Sequence, residues 1–249
     1  MKLAELTWPD VEKISRDDVV VVVSFASFEQ HSWHLPFFTD TMILEETVRR
    51  LDERISDQVL VLPVQWLGYS YHHSRYGGTL SARSETHLNI MQDIVSSVVD
   101  AGFKKVLILN SHGGNSANIS VLLQRLREQY EDVQLYSGSY SGPGSEEVGK
   151  IQEAGPEASG HAGETETSMI MALRPELVRT ERMEKDGERA RVRIYGLATF
   201  KRMDQRTDHG GVGDPTSASP EKGERFFEAA VEGLVKAVAE IRKSGLLQK

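Results

Sequence analysis

Short unbroken apolar runs alternate along this chain with longer segments whose apolar residues recur every three or four positions. Residues 19–23 are five valines in succession, residues 59–64 and 106–109 form similar runs, and residues 133–136, interrupted by Gln134, add a fourth candidate strand. Runs of this length suit strands covered on both faces, as in a parallel sheet. Between them, Leu44, Val48 and Leu51 fall at helical spacing, as do Met91, Ile94, Val95 and Val98, and then Ile119, Leu122, Leu123 and Leu126. These predict helices over 41–54, over 85–101 with Gly102 as its left-handed cap, and around 119–126. A short helix is expected over 3–15 and another just before Pro175. Phe227, Val231, Leu234, Val238 and Ile241 give a last helix over 224–243 with one apolar face. Strands alternating with helices imply right-handed βαβ units and a mostly parallel sheet with helices on both sides. Residues 137–160, rich in Gly, Ser and Glu, read as an irregular insertion or lid, and residues 181–223 as polar and irregular. No repeat or break in composition divides residues 1–249, so a single α/β domain is expected.

Two of the runs end in chemistry. The first is followed by Glu29, His31, His34 and Asp40, and the third by Asn110-Ser111-His112-Gly113-Gly114-Asn115. Ligands of open α/β sheets bind at the carboxyl ends of strands, so both clusters fall on one edge. In an extended segment Glu29 and His31 point the same way and can face one pocket. Asp40 precedes a predicted helix, where an N-cap role competes with metal ligation. His34, beside Trp33 and Leu35-Pro36, suits packing or a place near substrate as well as it suits a ligand. His112 sits where strand becomes helix, and Gly113 and Gly114 let backbone approach a bound molecule. Further on, His161, Glu164 and Glu166 precede a helix, where acidic residues also serve the helix dipole.

Composition narrows the chemistry. The chain has 249 residues, a formal charge of −8 and no basic patch, which argues against a nucleic-acid partner. No run of about 18 apolar residues exists, so no membrane partner is expected and the cytoplasm is the default location. With no cysteine, a metal would be held by His, Asp and Glu, which suits zinc first and manganese or iron next. Three carboxylates and two histidines exceed the needs of one catalytic zinc and match two ions sharing a carboxylate. Such a pair makes a nucleophile from water at neutral pH and polarises a carbonyl, which points to hydrolysis. A metal-free nucleotide-binding protein is the contrasting alternative; neither G-x-G-x-x-G nor G-x-x-x-x-G-K-[ST] occurs in its support.

Residues 27–31 (S-F-E-Q-H) with His34-Leu35-Pro36 and Asp40, then residues 110–115, then His161-Ala162-Gly163 with Glu166-Thr167-Ser168, resemble the creatininase (creatinine amidohydrolase) family. Residues 77–81 and 211–219 add weaker likeness, so the resemblance covers nearly the whole chain. It implies a three-layer α/β/α sandwich, two divalent metal ions, hydrolysis of a C–N bond in a small and often cyclic substrate, and a homo-oligomer, hexamers included. It implies Glu29, His31, Asp40 and His112 as ligands, with Asp40 bridging, and His161 as the group that transfers protons. One position departs from the pattern. Creatinine-opening members carry Glu two residues after the strand-end histidine, where this chain has Gly114. The likeness to members with H-G-G-N assigns the replacement to Glu166, with Glu164 as fallback. Creatinine-opening members also carry tryptophan in the lid, whereas this chain has only Trp8, Trp33 and Trp66, so creatinine is not the expected substrate. An amide, lactam or formamide is expected instead, or a cyclic keto-sugar or keto-cyclitol cut at a C–C or ester bond. His34, Gly113, Gly114, Tyr71 and His72 are the candidate substrate contacts; the loop holding Tyr71 and His72 suits an oligomer contact equally.

Overall fold

The structure is a computed structural model that describes residues 1–155, 158–187, 197 and 199–245. Four parallel strands lie in the order β2-β1-β3-β4: β1 Val20–Phe25, β2 Val59–Val61, β3 Lys105–Asn110 and β4 Gln134–Ser139. All six residues of β1 are buried, as the valine run requires of a central strand whose two faces are both covered. Alternation then divides the side chains between two cores. Val20 and Val22 pack into a layer with α2 (Thr39–Ile55), α6 (Glu164–Leu173) and α7 (Pro220–Lys243). Val21, Val23 and Phe25 pack into the opposite layer with α3 (Ser84–Asp100) and α4 (Ser116–Gln129). The architecture is the α/β/α sandwich the sequence implied.

Several boundaries differ from expectation. Residues 3–15 form no single helix: a 3-10 turn, Leu3–Glu5, precedes the one-turn α1, Trp8–Val11, which Pro9 opens. β2 stops at Val61, two residues before Pro63, which has no N–H to give a ladder. Residues 137–160 are more ordered than their composition suggests, because β4 runs on to Ser139 and a two-turn helix, α5, spans Ser145–Ile151. Residues 156–157 of that segment, and 188–196 and 198 of the polar stretch after it, lie outside the described residues. Among the described residues, no helix is long and apolar enough to cross a membrane.

α7 is the main buttress. Its predicted face, Phe227, Val231, Leu234, Val238 and Ile241, is buried, joined by Phe226 and Ala230. Gly223 lets its first turn approach α6 closely: a Cβ there would lie 2.0 Å from the Ser168 carbonyl oxygen. α6, which carries Glu164 and Glu166, is therefore held by backbone contact as well as by side chains.

Candidate metal centre

The chain leaves β1 at Phe25 and β3 at Asn110, adjacent strands whose following connections diverge, so a crevice opens at their carboxyl ends. Asparagines fix the two turns against each other. Asn110 Nδ2 donates to the His112 carbonyl at 2.7 Å, and Asn115 Nδ2 donates to the Ala26 carbonyl at 3.0 Å. Asn115 Oδ1 also accepts from the Tyr69 N–H at 3.0 Å, which ties in the loop after β2.

Five side chains converge in the crevice, all but Glu166 almost fully buried. His31 Nε2 lies 3.4 Å from Asp40 Oδ1 and 3.8 Å from Glu166 Oε2. His112 Nδ1 lies 3.1 Å from Glu29 Oε1 and 3.4 Å from Asp40 Oδ2. Asp40 thus presents one oxygen to each half of the cluster. It sits inside the first turn of α2 and makes no capping bond, so the N-cap alternative does not hold. Ser27 Oγ donates to its Oδ2 and fixes the carboxylate plane.

Each histidine is turned by a bond at its far nitrogen. His31 Nδ1–H donates to the Glu29 carbonyl at 3.1 Å, and His112 Nε2–H to the Tyr69 carbonyl at 3.1 Å. Both therefore aim their other ring nitrogen at the carboxylates. His161 Nε2–H donates to the Gln30 carbonyl at 2.8 Å, which points its Nδ1 at Glu29 Oε1, 3.6 Å away.

The electrostatics are those of a place that wants positive charge. Burial favours neutral His31, yet the Asp40 carboxylate raises it to about 9. Burial likewise opposes charge on His112, and Glu29 and Asp40 outweigh it. Glu29 and Asp40 stay ionised well below the usual range despite burial, because of His112 and His73 for the former and His31 and His112 for the latter. Burial pushes Glu166 up to about 7, and burial with nearby His31 holds His161 neutral, down to about 3. Both Glu29 carboxylate oxygens and His31 Nε2 are buried and make no hydrogen bond among the described residues. Buried polar atoms are rarely left so. Among the described residues three sets of carboxylate and imidazole ligand atoms converge within 4.8 Å, Glu29-His31-His161, Glu29-His72-His112 and His31-Asp40-Glu166, and donors of this kind fit divalent cations.

The other expected residues are placed as follows. A cavity of about 290 Å³ opens over the cluster, lined by Glu29, Asp40, His112, Gly113, His161 and Glu166 with a wall of serines. His34 lies behind it, its Nε2 2.9 Å from Thr167 Oγ1. Gly114 backs onto the His112 ring: a Cβ there would lie 2.3 Å from His112 Nε2 and 2.7 Å from His72 Cε1. In this chain, then, the His72 and His112 rings take the room a longer residue at 114 would need. Tyr71 is half exposed and stacks on Phe200 at 6.1 Å, away from the cavity. Glu164, the fallback ligand, is committed elsewhere. It is fully buried, accepts from Lys222 Nζ at 2.7 Å and from the Glu153 and Ala154 N–H groups at 2.9 Å each, and faces no histidine donor.

Two residues outside the expected set support the cluster. Gln30 Nε2 donates to the Gly210 carbonyl at 2.8 Å and to His73 Nδ1 at 2.7 Å. His73 then carries its proton on Nε2, 3.3 Å from Glu29 Oε1. Gln30 was hidden in plain view between Glu29 and His31; the signal for His73 was the paired histidine in a glycine-rich loop.

The sequence profile of the creatininase family, described as creatinine amidohydrolase, matches residues 4–238. The mycofactocin precursor peptide peptidase of Mycobacterium tuberculosis is 30% identical over 229 residues, 88% of this chain and 84% of that protein. The creatinine amidohydrolase of Pseudomonas putida is 29% identical over 261 residues, 96% of each chain. A creatininase solved with Mn superposes with a TM-score of 0.77 at 25% identity, covering 96% of this chain and 97% of that one. A creatininase variant of Zn-Zn type gives 0.76 at 26% identity with the same coverage.

Proposed function

The chain belongs to the creatininase family, and on that premise we propose that it is a hydrolase using two divalent metal ions, zinc first, to cut a C–N bond of a small amide, lactam or formamide. The observation that carries this is Asp40, with one carboxylate oxygen 3.4 Å from His31 and the other 3.4 Å from His112. One ion would rest on Glu29, His112 and Asp40, the other on His31, Asp40 and Glu166. When bound, the ions supply Lewis acidity toward a carbonyl and a water nucleophile at neutral pH. The chain's own residues do the rest. His161, with its Nδ1 facing the cluster, accepts the proton from the attacking water and returns it to the leaving nitrogen. The Gln30 carbonyl keeps that ring in place, and the Gln30 side chain orients His73 beside Glu29.

Creatinine is set aside because no tryptophan lines the cavity. The M. tuberculosis relative, a precursor peptide peptidase, favours a second reading, cleavage of a peptide. The enzyme is also read as a homo-oligomer, supported by exposed Trp33, Trp66 and Leu80 and tested by sedimentation. The central test is metal analysis of protein loaded with Zn²⁺ or Mn²⁺ and then desalted. About two ions per chain are expected. A full-length preparation that takes up none would end the metal-hydrolase reading.

A further inference from the structure

Beyond the metal donors, the cavity wall is built from hydroxyls. Ser111 stands at the end of β3, Ser139 and Ser141 at and just past the end of β4, and Ser159 and Thr165 around the start of α6. Ser111 Oγ is buried and makes no hydrogen bond among the described residues. Ser139 Oγ and Ser141 Oγ touch only loosely, at 3.4 Å. Ser159 Oγ and Thr165 Oγ1 accept from Gln152 Nε2, which leaves each a hydroxyl hydrogen to donate. Gly113 adds room, since a Cβ there would meet nothing within 4 Å.

The wall is equally defined by what the described lining omits. It contains no Lys or Arg to hold an anionic group, and no Phe or Trp to stack on a planar ring. Val148 is its one aliphatic side chain, and Tyr140 turns its hydroxyl to Met169 Sδ at 3.6 Å. Glu29, Asp40 and Glu166 would set three negative charges against the four positive charges of two divalent cations, which leaves the donor set a single net positive charge. A site built to hydrogen-bond hydroxyls discriminates strongly against analogues lacking them, because its own polar groups are then left unpaired.

We propose that the substrate of this centre is a neutral, polyhydroxylated small molecule, a sugar- or cyclitol-like body whose hydroxyls bond to Ser111, Ser139, Ser141 and Thr165 while its scissile group faces the metal ligands. The proposal rests on the two-ion hydrolase reading and does not depend on which bond is cut.

Three hydroxamic acids with one metal-binding group and different tails test it on the metal-loaded enzyme by calorimetric titration: gluconohydroxamate (polyol), benzohydroxamate (aromatic) and succinate monohydroxamate (anionic). The polyol is expected to bind at least about ten-fold tighter than either of the others, the worth of one or two net hydrogen bonds. A Ser111→Ala, Ser139→Ala double variant with unchanged metal content should lose most of that margin while binding benzohydroxamate as before. If the aromatic or anionic probe binds as tightly as the polyol to the unmodified enzyme, the substrate class is overturned and the hydrolase reading stands. If no hydroxamate binds to protein shown to carry its ions, the open two-ion centre itself is overturned, and the proposal with it. The comparison on the unmodified enzyme decides the matter even if the double variant fails to fold.

Discussion

Glu164 and Glu166 sit two residues apart on the first turn of α6, and each belongs to a buried charged cluster of a different kind. Around Glu164 every partner is present. Lys222 Nζ reaches Glu164 at 2.7 Å, Glu153 at 3.0 Å and the Ser217 carbonyl at 2.7 Å, while two backbone N–H groups cap the carboxylate. Around Glu166 the carboxylates and imidazoles approach at 3.1–3.8 Å, and Glu29 and His31 keep ligand atoms without partners. The first cluster is closed on itself and fastens α5, α6 and α7 together. The second is complete only with something added. Satisfaction, rather than burial or charge, separates a brace from a site.

The largest effect should come from the residue shared by both halves of the open cluster. Asp40→Ala is expected to abolish binding of both ions and to lower activity by at least about 10³-fold, since it removes the carboxylate that faces both His31 and His112. Metal analysis and turnover on one preparation check this. Retention of two ions would show that the halves are not joined through Asp40.

The closed cluster should respond in stability, not in metal. Lys222→Met leaves the Glu164 carboxylate buried without its cation and is expected to cost about 3–5 kcal/mol in urea unfolding. The double variant Lys222→Met, Glu164→Leu should recover much of that loss, because an apolar pair needs no counter-charge. Ion stoichiometry should stay at the wild-type value in any of these variants that fold. A lost ion would mean that Glu164 is no mere brace.

A smaller effect is expected from Glu166→Gln, which keeps the shape and the bond from the Ala162 N–H but weakens one donor. The affinity for one ion should fall by at least about 10–100-fold, the loss that follows even from removing a residue that only orients a ligand. Equal loss of both ions, or of neither, would break the division into two halves.

How far these clusters could be read from sequence follows from how local their signals are. The strand core was legible because five adjacent valines leave a sheet no exposed face, and α7 because Phe227 to Ile241 repeat at helical spacing. Glu29, His31 and His112 were legible as a group because two strand ends must share one edge of a parallel sheet. The fate of Glu164 was not legible: its cation, Lys222, is 58 residues distant and only the packing of α7 on α6 brings it in. Nor was the role of Gln30, whose side chain donates to His73 and Gly210 and whose carbonyl accepts from His161, residues of three separate segments. α5 was missed because Gly142, Gly144 and Gly149 read as loop composition, while Val148 and Ile151 supply the buried side that holds it as a helix.

His87 sets the limit of the criterion. It is fully buried on α3, its Nδ1 accepts from Asn118 Nδ2 at 3.2 Å, and its Nε2 makes no hydrogen bond among the described residues. An atom without a partner is present, but no carboxylate converges on it, so it belongs to none of the candidate metal groups. Burial, with nearby His112, pushes its pKa down to about 4. Since an unfolded histidine titrates near 6.5, the unfolded chain binds the proton first as pH falls. Stability from this group is therefore full above about pH 6.5, declines as pH drops toward about 4, and has lost about 2 kcal/mol by pH 5. Urea unfolding of wild type and His87→Leu at pH 7.5 and pH 5 should show the variant losing less on acidification by about that amount, with both proteins carrying the same metal content. Equal acid sensitivity would mean that His87 is solvated or partnered in solution. Loss of an ion in the variant would extend the open cluster beyond the crevice. The expected result confines metal chemistry to the place where several unsatisfied donors meet, and leaves a single unsatisfied histidine as a pH-dependent weakness of the core.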